Sequence, residues 1–394
     1  MMDPVLHYFD GFYPASGGVE AYIRDLAQVT EDPGLVITDA IRGLPEEEAL
    51  RPGFSVRRVG PENPSLDAHP RLANHRAFFP ARLLADTLRV RRKLKVVRRI
   101  PCRILQVHGL NVPGTVFRLR LERAPRFLLR WLADFGPVKA PKIATVHGLL
   151  SRTSGGRFAS LERQFYRSFD HLACVDRSLI RFIRERWGPA SEEMCLHWCP
   201  NGVDTDFFEY AEPPEDRAVH IGFVGRLESS RGLEALAVLA RSLPQGASLR
   251  IAGAGSFRDL ERFSELMPPE RMDIRFNASR ADVRSMLRSV DVLFNPVLVD
   301  GISRASLEAL ATGRPVAMFA GEDRHPVVPG ETGFLLERTD EAVARWAATL
   351  PARKEELVRM GRRGRELVTR EYSLGHFGRR IEELYRHAEE GTPA

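Results

Sequence analysis

The sequence predicts an α/β protein built as two doubly wound domains, and three observations carry that expectation. Strand-like and helix-like segments alternate along the chain, and they do so twice over. At 394 residues the chain is too long for one compact core. A proline-rich stretch, Ala211-Glu212-Pro213-Pro214-Glu215, interrupts the alternation near the middle. The expected first domain spans residues 1–200 and the second 201–373, with 374–394 as a terminal helix.

In chain order, Val5-Leu6-His7-Tyr8-Phe9 reads as the first strand. Pro14-Ala15-Ser16-Gly17-Gly18-Val19-Glu20 then leads into a helix with Val19, Ile23, Leu26 and Ala27 on its apolar face. Gly17 and Gly18 let the backbone approach a ligand with no Cβ in the way, although a tight helix entry needs the same residues. Ile104 to Val107 and Ile143 to Val146 read as strands closed by His108-Gly109 and His147-Gly148. Doubly wound sheets gather site residues at such strand ends, where a histidine is otherwise a capped polar terminus.

In the second half, Val219 to Val224 reads as a buried strand. It is closed by Gly225-Arg226-Leu227-Glu228-Ser229-Ser230-Arg231-Gly232 and followed by a helix with Leu233, Leu236, Leu239, Ala240 and Leu243 on one face. Ile251-Ala252-Gly253-Ala254-Gly255 is a strand running into a glycine loop. Val292-Leu293-Phe294 ends at Asn295-Pro296, a loop carries Asp300-Gly301-Ile302, and a helix turns Leu307, Leu310 and Ala311 inward before Gly313 and Pro315. Phe334-Leu335-Leu336 is the next strand, with helices after Thr339 and Pro351. A last helix, about 374–389, aligns Phe377, Ile381, Leu384 and Tyr385.

Two chemical patterns stand out. Asp300 and Glu308 lie eight positions apart across a loop-to-helix junction, so two carboxylates and a row of helix-start N–H groups can meet one ligand. A nucleoside diphosphate sugar offers hydroxyls to the acids and phosphate to the donors; a helix cap and a turn would use the same residues. Arg226 and Arg231 follow a strand and precede a helix, where cations can neutralise phosphate oxygens, unless they are solvated surface residues.

These segments resemble glycosyltransferase family 4. Asp300 to Glu308 is similar to its E-x7-E element, with Asp300 where the family usually has Glu. Residues 225–232 resemble G-R-L-x-x-x-K-G, with Arg231 in place of lysine. Pro200-Asn201-Gly202-Val203-Asp204-Thr205-Asp206-Phe207, Gly253-Ala254-Gly255, and Gly330-Glu331-Thr332-Gly333-Phe334-Leu335 resemble three further signatures in the family's order. Gly17-Gly18-Val19-Glu20 looks like its G-G-x-E loop, Thr145-Val146-His147 its T-x-H element, and His108 the histidine of a looser V-H-x-H stretch. The resemblance implies GT-B architecture: two Rossmann-like domains facing a central cleft, the last helix crossing back to the first, acceptor on the first domain and donor on the second. It also implies retaining, metal-independent transfer. Glu308 would grip the ribose and Arg226 and Arg231 the diphosphate. Gly301-Ile302 amides, Gly253, Gly255, Gly17 and Gly18 would line the donor. His147 and Asp300 would orient the sugar, with Glu20 and His108 on the acceptor side.

Composition sets limits. A 43% hydrophobic and 28% charged chain is that of a soluble globular protein. No run approaches the roughly 18 apolar residues of a membrane span, and the amino terminus lacks a basic region preceding an apolar one. A cytoplasmic location is expected. The four cysteines, Cys102, Cys174, Cys195 and Cys199, are too few for a disulfide framework and are expected as buried thiols; Cys195, His197 and Cys199 lack the second ligand pair of a structural zinc site. Residues 51–150 hold 21 Lys and Arg against 5 Asp and Glu, a net of +16 within a total of +6. Much of that lies in 88–100 and 117–131, interleaved with Leu, Phe and Trp, which suits an anionic membrane face or a phosphate-bearing acceptor more than nucleic acid. A solvated arginine-rich face is the plain alternative.

The expected activity is transfer of a hexose or aminohexose from a nucleoside diphosphate sugar to a hydroxyl of a lipid-linked, polyol, aminocyclitol or polysaccharide acceptor, without cofactor or metal. A sugar-nucleotide hydrolase or epimerase, or a non-catalytic basic adaptor, are the alternatives.

Overall fold

The computed structural model describes residues 2–12, 17–60, 79–110, 138–153, 156, 158–227, 231–254, 272–298 and 301–391. Asp300, Gly255 and the basic segment 117–131 therefore lie outside the described residues, as do Glu228 to Ser230. The chain divides into two compact units, Met1–Cys199 with Gly378–Ala394, and Pro200–Phe377.

The first unit holds strands β1 Val5–Tyr8, β2 Gly34–Asp39, β3 Glu47–Arg51, β4 Phe54–Val59, β5 Ile104–His108, β6 Lys142–Val146, β7 His171–Cys174 and β8 Cys195–Trp198. They form one sheet in the order β3-β4-β2-β1-β5-β6-β7-β8, parallel apart from the edge hairpin of β3 on β4. Chain order reverses between β1 and β5. Ligands of doubly wound sheets bind at such a switch point, outside the carboxyl ends of the strands. The helix Gly18–Val29 buries Tyr22, Ile23, Leu26 and Ala27. The helix Phe79–Val97 turns Val90, Lys93, Leu94 and Val97 inward and leaves Arg91, Arg92 and Lys95 exposed. Lys93 is thus no part of a solvated basic face. Its ammonium pairs with Asp39 at 2.8 Å and with Asp10, over the Tyr8 ring. Those carboxylates offset the desolvation that burial would otherwise impose on it.

The second unit holds β9 Val219–Arg226, β10 Ala247–Ala254, β11 Met272–Phe276, β12 Val292–Phe294, β13 Val316–Phe319 and β14 Gly333–Leu336. All are parallel, in the order β11-β10-β9-β12-β13-β14, which read from the inside is the 3-2-1-4-5-6 arrangement of a Rossmann sheet. Its switch point lies between β9 and β12. Val219, Ile221 and Phe223 alternate along β9 and so line one of its faces, where they share a core with Leu236, Leu239, Phe294 and Trp346.

The terminal helix, Leu374–Glu390, begins in the second unit, and its residues from Gly378 onward belong to the first. Within the first unit Gly378 fits against Val29, where a Cβ would come 3.1 Å from the valine Cβ. All four cysteines are free thiols, but only Cys174 and Cys199 are buried; Cys102 and Cys195 are half-buried. Among the described residues no group of three His, Cys, Asp or Glu is arranged to hold a metal ion.

Candidate active site

In the second unit the site is assembled by the two loops flanking the switch point. Arg226 ends β9 with its side chain exposed, and Arg231, also exposed, precedes the helix Leu233–Arg241. Gly232 adopts φ +80°, and a Cβ there would lie 2.2 Å from the carbonyl oxygen of Pro296, in the loop after β12. Only glycine satisfies both the left-handed backbone and that contact. The two loops therefore touch, which brings the arginine segment beside the segment leading to Glu308.

After β12, Asn295 is buried and donates from Nδ2 to Ser306 Oγ at 2.8 Å, fastening the strand end to the helix Arg304–Ala311. Gly301 has φ +126°, a region that disfavours side chains, and Ile302 is half-buried. The N-cap Ser303 forms no side-chain cap, so its own residue leaves the positive helix end unspent. Glu308 is half-buried on that helix, between the buried Leu307 and Ala309. Gly253 lies near the end of β10, where a Cβ would sit 3.0 Å from the Gly225 carbonyl oxygen. Arg226, Arg231, Gly253, Gly301, Ile302 and Glu308 thus share the carboxyl edge of one sheet.

In the first unit the switch point carries a row of histidines across three adjacent strands. His7 on β1 has Nδ1 3.2 Å from Nε2 of His108, the last residue of β5; His147 follows β6. The His108 and His147 rings stack at 5.8 Å, and the Tyr22 ring stands edge-on to His147 at 4.9 Å. Burial pushes His7 and His147 down to about 3 and His108 well below its ordinary value, so all three are neutral near pH 7. His147 Nε2 and His108 Nδ1 are buried and make no hydrogen bond among the described residues. Gly17 is the N-cap of the helix Gly18–Val29, and the Glu20 carboxylate folds back against it, 2.3 Å from where a Cβ would sit. At the third helical position Glu20 is placed as a capping residue, a helix-start role beside the expected acceptor-side one.

Sequence reading missed His7, Tyr22 and Asn295. His7 carried a signal, since it is a third histidine close to the carboxyl end of a strand. Tyr22 and Asn295 look like ordinary helix and turn residues until the fold brings His147 and Ser306 to them.

Two doubly wound α/β units with polar and charged groups gathered at the switch point of each define a GT-B glycosyltransferase. Residues 16–207 match the model described as Glycosyltransferase Family 4, and residues 218–351 the one described as Glycosyl transferases group 1. The chain is 26% identical over 378 residues to the GDP-mannose-dependent alpha-(1-6)-phosphatidylinositol dimannoside mannosyltransferase of Mycobacterium tuberculosis, covering 91% of each. Among solved structures it is similar to sucrose-phosphate synthase from Thermosynechococcus elongatus (TM-score 0.76, 17% identity, 99% of this chain and 100% of that one). It is also similar to Anabaena HepE in complex with UDP (TM-score 0.68, 15% identity, 97% and 99%). The chain belongs to glycosyltransferase family 4.

Proposed function

We propose that the enzyme transfers a hexose or aminohexose, with retention, from a nucleoside diphosphate sugar to a hydroxyl acceptor. The observation that carries this reading is the contact of Gly232 with Pro296, which sets two arginines and the helix of Glu308 on one sheet edge. Arg226 and Arg231 neutralise the diphosphate as the bond from the anomeric carbon to it breaks and charge develops on the leaving oxygen. Glu308 holds the ribose. Amides at Gly301 and Ile302, with Gly253 and Gly255, admit the donor closely, and Asp300 and neutral His147 orient its sugar. Gly17 and Gly18 let the leaving phosphate and the acceptor approach. Glu20 and His108 serve the acceptor side, Glu20 doing so from its place at the helix start. The acceptor oxygen takes the place of the phosphate oxygen, and its proton leaves with the departing diphosphate. Two arginines supply the charge a metal would otherwise provide, so transfer proceeds without one.

The mycobacterial relative is named for GDP-mannose and a phosphatidylinositol dimannoside, which makes GDP-mannose the first donor to try and a lipid-linked acceptor the first class. HepE was solved with UDP, so the base is decided by experiment. The exposed Arg91, Arg92, Lys95 and neighbouring Arg98 and Arg99 suit an anionic membrane face. Sedimentation with anionic vesicles, lost when Arg92 and Lys95 become Glu, supports that contact, and unchanged sedimentation removes it. Among the described residues no helix is long and apolar enough to cross a membrane.

A thermal-shift panel of GDP, UDP, ADP and dTDP sugars tests the donor, since a ligand at a hundred times its Kd stabilises by about 2.7 kcal/mol. Transfer is then followed with and without acceptor in excess EDTA. Turnover without acceptor would make the enzyme a hydrolase, and activity that EDTA removes and Mg²⁺ or Mn²⁺ restores would refute metal independence.

A further inference from the structure

Behind His147 lies a chain of buried polar groups that none of the roles above uses. Tyr385, on the terminal helix, donates from its hydroxyl to Gln106 Oε1 at 2.6 Å. The Gln106 amide then donates from Nε2 to Thr145 Oγ1 at 2.8 Å. Tyr22 lies against the same threonine side chain, and its ring stands edge-on to His147. Tyr385, Gln106, Thr145 and Tyr22 are each at most 2% exposed, so none of these contacts exchanges with water.

Such a chain fixes geometry. An amide between a tyrosine donor and a threonine acceptor favours one orientation, because reversing it would set donor against donor at the tyrosine end and acceptor against acceptor at the threonine end unless both hydroxyls also turned. His147 follows Thr145 by two residues, just past the end of β6. Holding Thr145 and Tyr22 thereby holds the imidazole plane. Among the described residues His147 Nε2 is buried and makes no hydrogen bond, and so can be offered to a substrate hydroxyl.

We propose that Tyr385, Gln106 and Thr145 are positioning residues that set the ring orientation of His147 through Tyr22, so that the last helix of the chain tunes the sugar-facing end of the first sheet. This rests on the reading of His147 as a sugar-orienting group. Packing alone would have been served by apolar side chains at all three positions. The hydrogen-bonded run from Tyr385 through Gln106 to Thr145 instead specifies one arrangement, since every unpaired alternative is costly.

The test uses the full chain with ¹⁵N-labelled histidine. His147 signals are assigned by their loss in His147→Gln, then compared in Tyr385→Phe, Thr145→Val and Thr145→Ser. Tyr385→Phe and Thr145→Val are expected to shift the His147 ring signals and to lower kcat roughly tenfold or more, as misorientation does, with donor affinity within about twofold. Thr145→Ser keeps the hydroxyl and should restore both. Ring signals unchanged in both variants would overturn the proposal, as would equal losses in Thr145→Ser and Thr145→Val. If Thr145→Val does not fold, Tyr385→Phe, which removes one oxygen atom, decides alone. Should the wild type transfer no sugar, the reading of His147 as a sugar-orienting group falls by itself, while the ring signals still settle whether Tyr385 sets His147.

Discussion

Arg226 closes β9 with an exposed guanidinium, and the contact of its loop with Pro296 leaves it no structural task among the described residues. A cation at the carboxyl end of a strand, one loop away from a helix start, is placed for phosphate. Arg226→Ala is therefore expected to cost about 2 kcal/mol or more in kcat/KM, in the range for truncating one partner of a desolvated charge pair. The fold should be unaffected, since no described residue depends on the side chain. Arg231→Lys should keep most activity, because the charge is retained and only the planar fork is lost. Efficiency of Arg226→Ala within threefold of wild type would remove the assignment. The arginines were legible because strand, turn and helix are local patterns and a cation between them has one ready explanation. The His7–His108 contact was not, since residues 101 apart in sequence meet only once β1 and β5 pair.

At the scale of elements, the junctions that matter most are between loops. Strand ends such as Val292–Phe294 and Ile104–His108 coincide with the runs that predicted them, because parallel strands covered on both faces are largely apolar. The basic run 88–100 misled in part. Its periodicity does give a helix, but on that helix Lys93 falls on the apolar side with Val90, Leu94 and Val97. Nothing local marks which lysine of a basic helix will meet Asp10 and Asp39. The Gly232–Pro296 contact makes a corresponding prediction. Gly232→Ala meets a backbone oxygen rather than a movable side chain, and it carries the cost of positive φ as well. It should separate the two loops, weakening nucleotide-sugar affinity about tenfold or more and lowering the melting temperature of the second unit. Calorimetric titration against the donor checks this: unchanged affinity would mean that the loops are held together by other contacts.

For the whole molecule, the two units differ in how they respond to acid. The first carries His7, His108 and His147 in burial that keeps all three neutral, whereas in the unfolded chain each returns to about 6.5. Below that value the unfolded state binds protons that the folded state refuses. Their contribution is thus fully present above pH 6.5 and lost as pH falls toward the folded values, by up to about 1.4 kcal/mol per pH unit for each histidine. His197 is a fourth, pushed down to about 4 by burial and the nearby His171 and His387. Buried Asp39 and Glu162 in the same unit have raised values and oppose the trend. In the second unit burial raises Asp291, which likewise opposes the trend. Acid should therefore loosen the first unit before the second. Hydrogen exchange corrected for intrinsic rates, followed from pH 7.5 to 5.5, is expected to show protection falling first at Val5–Tyr8, Ile104–His108 and Lys142–Val146 while Val219–Arg226 holds. His7→Gln should make the fall shallower. Protection lost first from Val219–Arg226, or equal in both sheets, would mean that the histidine row is not held neutral by burial.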